Sequence, residues 1–295
     1  MTTAIRTTGL TKRYGRHPAI TELNLEVAQG EIFGFLGPNG AGKSTTIRIL
    51  LDLIRPTAGQ VEVLGADPRT GGPKLRGRIG YLPGELAMEG RNTARDLLGF
   101  LAAQRSDAVP EQRITELADL LDLDLTKKVG AMSKGNKQKV GIIAAFMHRP
   151  ELLILDEPTS GLDPLLQQRF LDLVTEAKQN GQTVFMSSHI LSEVQQVADR
   201  AVIMRAGQLL GTENVEELRR RSPRSVELAF AEDVFVDDFT RLPNVRDVRL
   251  IGNTLHCTTE GEVDALFKTA AKYHLTSVLS TEPDLEQIFF SLYGR

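Results

Sequence analysis

Tryptophan is absent from this chain, and its 295 residues include only four tyrosines and one cysteine. A lone Cys257 excludes an internal disulfide and any cysteine metal cluster, which suits a reducing compartment. No uninterrupted apolar stretch approaches the ~20 residues that span a bilayer, and residues 1–6 lack the apolar core of a secretory signal. A soluble, cytoplasmic chain is expected. Positive charge is not in excess either: a net charge of −3 gives no electrostatic case for nucleic acid. The one basic run, Arg219-Arg220-Arg221 with Arg224, reads as a solvated helix end and linker. What remains is ordinary for a globular protein, with 41% hydrophobic and 25% charged residues. The length exceeds that at which one core stops growing, so a large domain and a smaller one are expected.

The rest of the chain is organised around Gly37-Pro38-Asn39-Gly40-Ala41-Gly42-Lys43-Ser44-Thr45, between the apolar run Ile32–Leu36 and the stretch Thr46–Leu51. This is a strand, a glycine loop and a helix. Three glycines let the loop turn its N–H groups inward around a phosphate chain, and the helix opening near Lys43 adds free N–H groups and a positive dipole end. Lys43 brings a full charge to the outer phosphates, and Ser44 offers a hydroxyl to Mg²⁺.

Before the loop, Ile5–Leu10 and Ile20–Val27 read as an antiparallel flap joined through Thr11–Gly15, with Tyr14 in the connection as a ring that could stack on a purine. After it, strands are expected at Gln60–Gly65 and Arg78–Leu82, the second broken by Pro83-Gly84-Glu85. From there to Gly130 the pattern is helical, with Thr93 capping Ala94–Gln104 and Pro110 opening Glu111–Leu121.

Between Met132 and His189 the chemistry is dense. Ser133 is placed to cap a helix with apolar residues Val140, Ile143, Ala144 and Met147 on one face. The buried-type strand Leu152–Leu155 ends in Asp156-Glu157-Pro158, and carboxylates at the exit of a parallel strand point into the ligand crevice. Asp156 would hold Mg²⁺ through its water shell, and Glu157 would orient or deprotonate an attacking water. Asp163-Pro164 reads as the cap and first residue of the helix Leu165–Gln179, and His189 follows the strand Gln182–Ser187 on the ligand side.

Together these motifs resemble the ATPase subunit of the ATP-binding cassette (ABC) transporters over about residues 4–211. The resemblance implies a P-loop NTPase (RecA-like) α/β core with an antiparallel β flap and a helical insertion at about 86–150. It makes Gly37, Pro38, Asn39, Gly40, Ala41, Gly42, Lys43, Ser44 and Thr45 the Walker A loop, and Ser133 and Gly135 the signature-motif residues that address the γ-phosphate. Asp156 and the catalytic Glu157 become Walker B, Asp163 the D-loop acid, His189 the switch histidine, and Tyr14 the adenine-stacking aromatic. ATP and Mg²⁺ are the implied ligands. A head-to-tail dimer, from two copies or a paired ATPase subunit, and a separate transmembrane permease that holds the chain on the inner face of the membrane are the implied partners. The signature usually reads Leu-Ser-Gly-Gly-Gln, whereas this chain has Met132-Ser133-Lys134-Gly135-Asn136. The family's Gln after the Ile79–Pro83 strand is replaced by Gly84, and Glu85, next to it, could carry a metal-facing oxygen in its place.

After a helical linker at 212–224, residues 225–295 order as βαββαβ, a small α+β ferredoxin-like domain with helices near Val234–Arg241 and Glu262–Tyr273, then a final helix Asp284–Phe290. Residues 212–295 hold ten basic against fifteen acidic residues, which disfavours nucleic acid or anionic lipid. The reading is an ATP hydrolase that powers export. Its alternatives are a soluble cassette ATPase of DNA repair or translation, for which a coiled-coil insertion, second cassette or basic face would be expected, and a resistance or regulatory module with little turnover, which Glu157 and His189 argue against.

Overall fold

The computed structural model describes residues 2–105, 107–217 and 224–281. The Arg219–Arg221 run and the expected Asp284–Phe290 helix lie outside the described residues. The chain divides into two compact units, Met1–Thr212 and Glu213–Arg295.

In the first unit, β1 (Thr3–Tyr14), β2 (His17–Ala28) and β4 (Ala58–Val63) form a flap sheet of order β2-β1-β4. β1 runs on to Tyr14, which pairs with His17, so the connection is the tight Gly15-Arg16 turn and not the longer Thr11–Gly15 link expected. The central sheet adds β3 (Ile32–Leu36), β5 (Ile79–Leu82), β6 (Leu152–Asp156), β7 (Thr183–Ser188), β8 (Arg200–Arg205) and β9 (Gln208–Asn214) in the order β5-β6-β7-β3-β8-β9. The pairs from β5 through β8 are parallel. The two-residue Ala206-Gly207 turn between β8 and β9 has both φ angles positive (48° and 80°), the geometry of a tight hairpin.

Strands β3, β6 and β7 are buried at every position, as strands covered on both faces must be. On one face Phe33, Phe35, Phe185 and Ile154 join the flap's Ile5, Leu10 and Ile20 and α1 (Lys43–Leu50) in one core. Phe33 and Phe185 stack with ring centroids 6.0 Å apart. α5 (Lys134–Phe146), α6 (Pro164–Gln179) and α7 (Leu191–Val197) also pack on this sheet. α3 (Ala94–Ala103) opens with the expected Thr93 cap, completed by Asp96 into a reciprocal capping box, and α4 (Glu111–Leu120) follows Pro110. α5 departs from the expected single stripe. Besides Val140 and Ile143 it buries Ile142, Ala145 and Phe146, because it meets α3 and α4 as well as β5.

Four elements were not anticipated: α2 (Pro68–Gly77), kinked at Gly72, the two strands of the β8–β9 hairpin, and α7. Glu213 and Asn214 finish β9 where a helical linker was expected to begin. In the second unit β10 (Arg224–Phe230), β11 (Val245–Ile251), β12 (Thr254–Thr259) and β13 (Leu275–Thr281) form an antiparallel sheet of order β11-β12-β10-β13. Its helices are shorter than expected: α8 is the single turn Asp237–Thr240 and α9 spans Asp264–Ala270. Phe239 and Leu266 anchor them to a core of Val226, Leu228 and Leu255.

Candidate active site

Parallel register brings three strand ends to one edge, because Leu36 pairs with Ser188 and Asp156 with Ser187. Ligands of open parallel sheets bind in the crevice beyond such ends. β3 releases the glycine loop there. Gly42 has φ 113°, and a Cβ on it would lie 2.6 Å from the Ala19 carbonyl oxygen, so only glycine lets the flap and loop meet this closely. The Ala41 carbonyl accepts the Gly207 N–H, and the Gly207 carbonyl accepts that of Thr21, which stitches the loop to both the flap and the β8–β9 turn. α1 starts at Gly42 with no side-chain cap, leaving its first N–H groups for an anion.

Lys43 is 5% exposed and donates from Nζ to the carbonyl oxygen of Gly37 at 2.6 Å. Its Nζ also lies 3.1 Å from Glu157 Oε1. That contact is ionic: Glu157 Oε1 is buried and takes no hydrogen bond. The other carboxylate oxygen, Oε2, lies 2.5 Å from His189 Nδ1. Glu157 itself adopts φ 47°, in the left-handed region that is uncommon for residues other than glycine. Its N–H donates to both the carbonyl and the hydroxyl of Ser187, each at 3.2 Å. Gln138, 2% exposed, donates to the carbonyl oxygen of Pro158 at 2.8 Å.

Asp156 is buried, and Ser187 Oγ donates to its Oδ1 at 2.6 Å. Burial, reinforced by the Asp156 charge, pushes the Tyr81 phenol up. Gly84 lies against Asp156, a Cβ there falling 3.4 Å from Oδ2, while Glu85 beside it is exposed. Lys43, Glu157, His189 and Asp156 with Ser187 thus form one connected group. Other predicted residues have separate partners. Ser133 caps α5 by accepting the Asn136 N–H, Gly135 lies against the Gly161 carbonyl, and Asp163 caps α6 through the Leu166 N–H. Tyr14 is half exposed at the flap's end, with the Lys12 ammonium 5.1 Å from its ring centroid.

Ser187, Gln138 and Tyr81 escaped the sequence reading. For Ser187 a signal existed, since it lies two residues ahead of His189. Gln138 stands between Lys137 and Lys139 and Tyr81 within an apolar run, and nothing local says what either faces.

The residues fit a nucleotide triphosphate with Mg²⁺. The uncapped start of α1 offers free N–H groups to an anion beside the buried Lys43 ammonium, whose ion-pair partner Glu157 Oε1 takes no hydrogen bond of its own, and Ser44 and Asp156 supply the hard oxygens that Mg²⁺ takes. Among the described residues no three His, Cys, Asp or Glu side chains group to hold a metal. An ion here would therefore complete its shell with phosphate oxygens and water.

Fold and site define a P-loop nucleotide-binding protein. The pattern of the family described as ABC transporter matches residues 20–160. The Bacitracin transport ATP-binding protein BcrA of Bacillus licheniformis is 36% identical, over 100% of this chain and 98% of its own. The Fluoroquinolones export ATP-binding protein of Mycobacterium tuberculosis is 32% identical, over 100% of this chain and 94% of its own. Among solved structures, the ATP-binding subunit of an ABC transporter matches with TM-score 0.68 at 31% identity, over 74% of this chain and 92% of that one. A dimeric ATP-binding cassette bound to ADP and Pi shares the fold, with TM-score 0.65 at 23% identity, over 72% of this chain and 98% of that one. The chain belongs to the ATP-binding subunits of ABC transporters.

Proposed function

We propose that this chain hydrolyses ATP, as half of a head-to-tail ATPase dimer, to drive export through a separate permease at the inner face of the membrane. The observation that carries the reading is the Lys43–Glu157–His189 group. It sets a cation for the phosphates beside a carboxylate held at both oxygens. The Glu157 carboxylate takes the proton of the attacking water, and His189, on its far side, orients that carboxylate and the terminal phosphate. Ser44 and Asp156 are the residues that would hold Mg²⁺, which when bound neutralises charge on the phosphate oxygens. Glu85 is assigned to reach the ion's water shell from the loop after β5.

Tyr14 is assigned to the adenine, and Ser133, Gly135 and Asp163 to the nucleotide held by the other subunit. No described helix is long and apolar enough to cross a membrane, so the permease is proposed as a second chain. The cargoes named for the two relatives, bacitracin and fluoroquinolones, make an antimicrobial compound the proposed substrate class.

The test is Glu157→Gln. ATP affinity should persist, turnover should fall ~10²–10⁴-fold, the usual contribution of a positioned base, and an ATP-dependent dimer should accumulate in size-exclusion runs. A variant that binds ATP, hydrolyses it at the wild-type rate and stays monomeric would remove the reading.

A further inference from the structure

We propose that Lys134 is a positioning residue: its side chain latches the segment that follows Glu157 onto the first turn of α5. The proposal rests on the ATPase reading only for what the latch does to turnover. Lys134 is the first residue of α5, where the helix dipole is positive, and Lys137 in the same turn adds a second cation with no acid to offset them. A lysine is disfavoured there on local grounds, and the family motif usually has glycine in its place. Its contacts supply the compensation. Nζ donates to Ser160 Oγ at 3.0 Å. The aliphatic stem runs along Gly161, so that a Cβ on Gly161 would lie 3.6 Å from Lys134 Cγ and Cδ. The backbones touch as well, because a Cβ on Gly135 would fall 2.6 Å from the Gly161 carbonyl oxygen.

One turn further along α5, on the same face, Gln138 holds the Pro158 carbonyl at 2.8 Å. Beyond the latch, Gln167 Nε2 donates to the Leu162 carbonyl at 3.2 Å, and Asp163 caps α6. The stretch from Glu157 to Asp163 is therefore pinned at Pro158, Ser160 and Leu162. Lys134 supplies the middle pin, and it is the exposed one. Releasing it leaves the glycine loop intact while loosening the chain on which Glu157 and Asp163 are mounted.

The first measurement needs no activity. In nucleotide-free full-length protein, the amides of Ser160 and Leu162, bonded to the carbonyls of Glu157 and Thr159, should exchange about 2–5-fold faster in Lys134→Ala, the scale of an exposed polar tether. Ser160→Ala should match it, the double variant should exceed neither single one, and Lys134→Arg should restore the wild-type rate. Exchange unchanged in both alanine variants would overturn the latch; should Lys134→Ala fail to fold, unchanged exchange in Ser160→Ala alone overturns it. In ATPase assays kcat should fall by a similar factor with the KM for ATP unchanged. A raised KM with kcat and exchange unchanged would mean that Lys134 meets the nucleotide directly, which also overturns it. If exchange responds as expected but the wild type has no ATPase activity, the latch stands and the proposed function fails.

Discussion

Replacing Ser187 by alanine removes a single oxygen and tests whether β7 supports the acid pair. Ser187 is fully buried, and its hydroxyl donates to the Asp156 carboxylate at 2.6 Å. A hydrogen bond to a charged acceptor contributes about 1.5–3 kcal/mol. The Glu157 N–H loses the hydroxyl but keeps the Ser187 carbonyl at 3.2 Å, so that side adds little. The void is smaller than a methyl group, and the expected cost is about 2 kcal/mol. In the unit Met1–Thr212, at roughly 2–4 °C per kcal/mol, that is a Tm lower by about 4–8 °C. The functional signature is separate. With Asp156 no longer held, half-maximal ATPase should need several-fold more Mg²⁺, while kcat at saturating Mg²⁺ stays within about two-fold of wild type. Thermal unfolding and an ATPase Mg²⁺ titration decide the matter. A Tm within about 1 °C of wild type together with superimposable Mg²⁺ curves would refute the reasoning.

Lys43→Ala should abolish nucleotide binding, measured by equilibrium dialysis with ATP, because the ammonium is the cradle's one full charge on the phosphates; unchanged affinity would sink the assignment. Glu85→Ala, in the complex with the permease, should raise the Mg²⁺ requirement or lose stimulation by the partner, and wild-type kinetics at every Mg²⁺ level would reject its role. His148 predicts a pH effect. Burial, with help from the Arg105 charge, pushes its imidazole down to about 4 from 6.5. The unfolded chain then binds the extra proton between those values, and stability is lost as pH falls through that window, by about 2 kcal/mol after allowing for solvent at the ring. Urea unfolding at pH 7.5 and 5 should show somewhat over half of this loss, about 1 kcal/mol, because pH 5 lies only part of the way from 6.5 down to about 4, and His148→Gln should remove most of it.

What could be read from the sequence was local. Thr93, Ser133 and Asp163 announce helix starts because a cap's partner lies two or three residues away, and the glycine loop's function is written in nine adjacent residues. Ser187 meets Asp156 across 31 residues and Gln138 meets Pro158 across 20, pairings that only the sheet order and the docking of α5 create. α2 was missed because Gly71-Gly72-Pro73 breaks the helical pattern, although Asp67-Pro68 is a cap signal. β8 was missed too, although Ala201, Val202 and Met204, all buried, make an apolar stretch ahead of the Ala206-Gly207 turn. Tyr14 reads as part of the Thr11–Gly15 connection, yet the flap's pairing carries through Lys12 and Arg13 to Tyr14 itself.

The sheet order has a consequence for synthesis. β3 comes early in the chain, but its two neighbours are β7 and β8, so Phe33 waits for Phe185 and Arg200 to be made. A ribosome that has translated the glycine loop and the whole helical insertion has yet to supply either backbone partner. Until then Ile32-Phe33-Gly34-Phe35-Leu36 is an apolar strand with two open edges, the kind of segment that misassociates and draws chaperones. Chains ending before residue 183 should accumulate as aggregates, and the final assembly of the nucleotide site should be a late event in the birth of the protein.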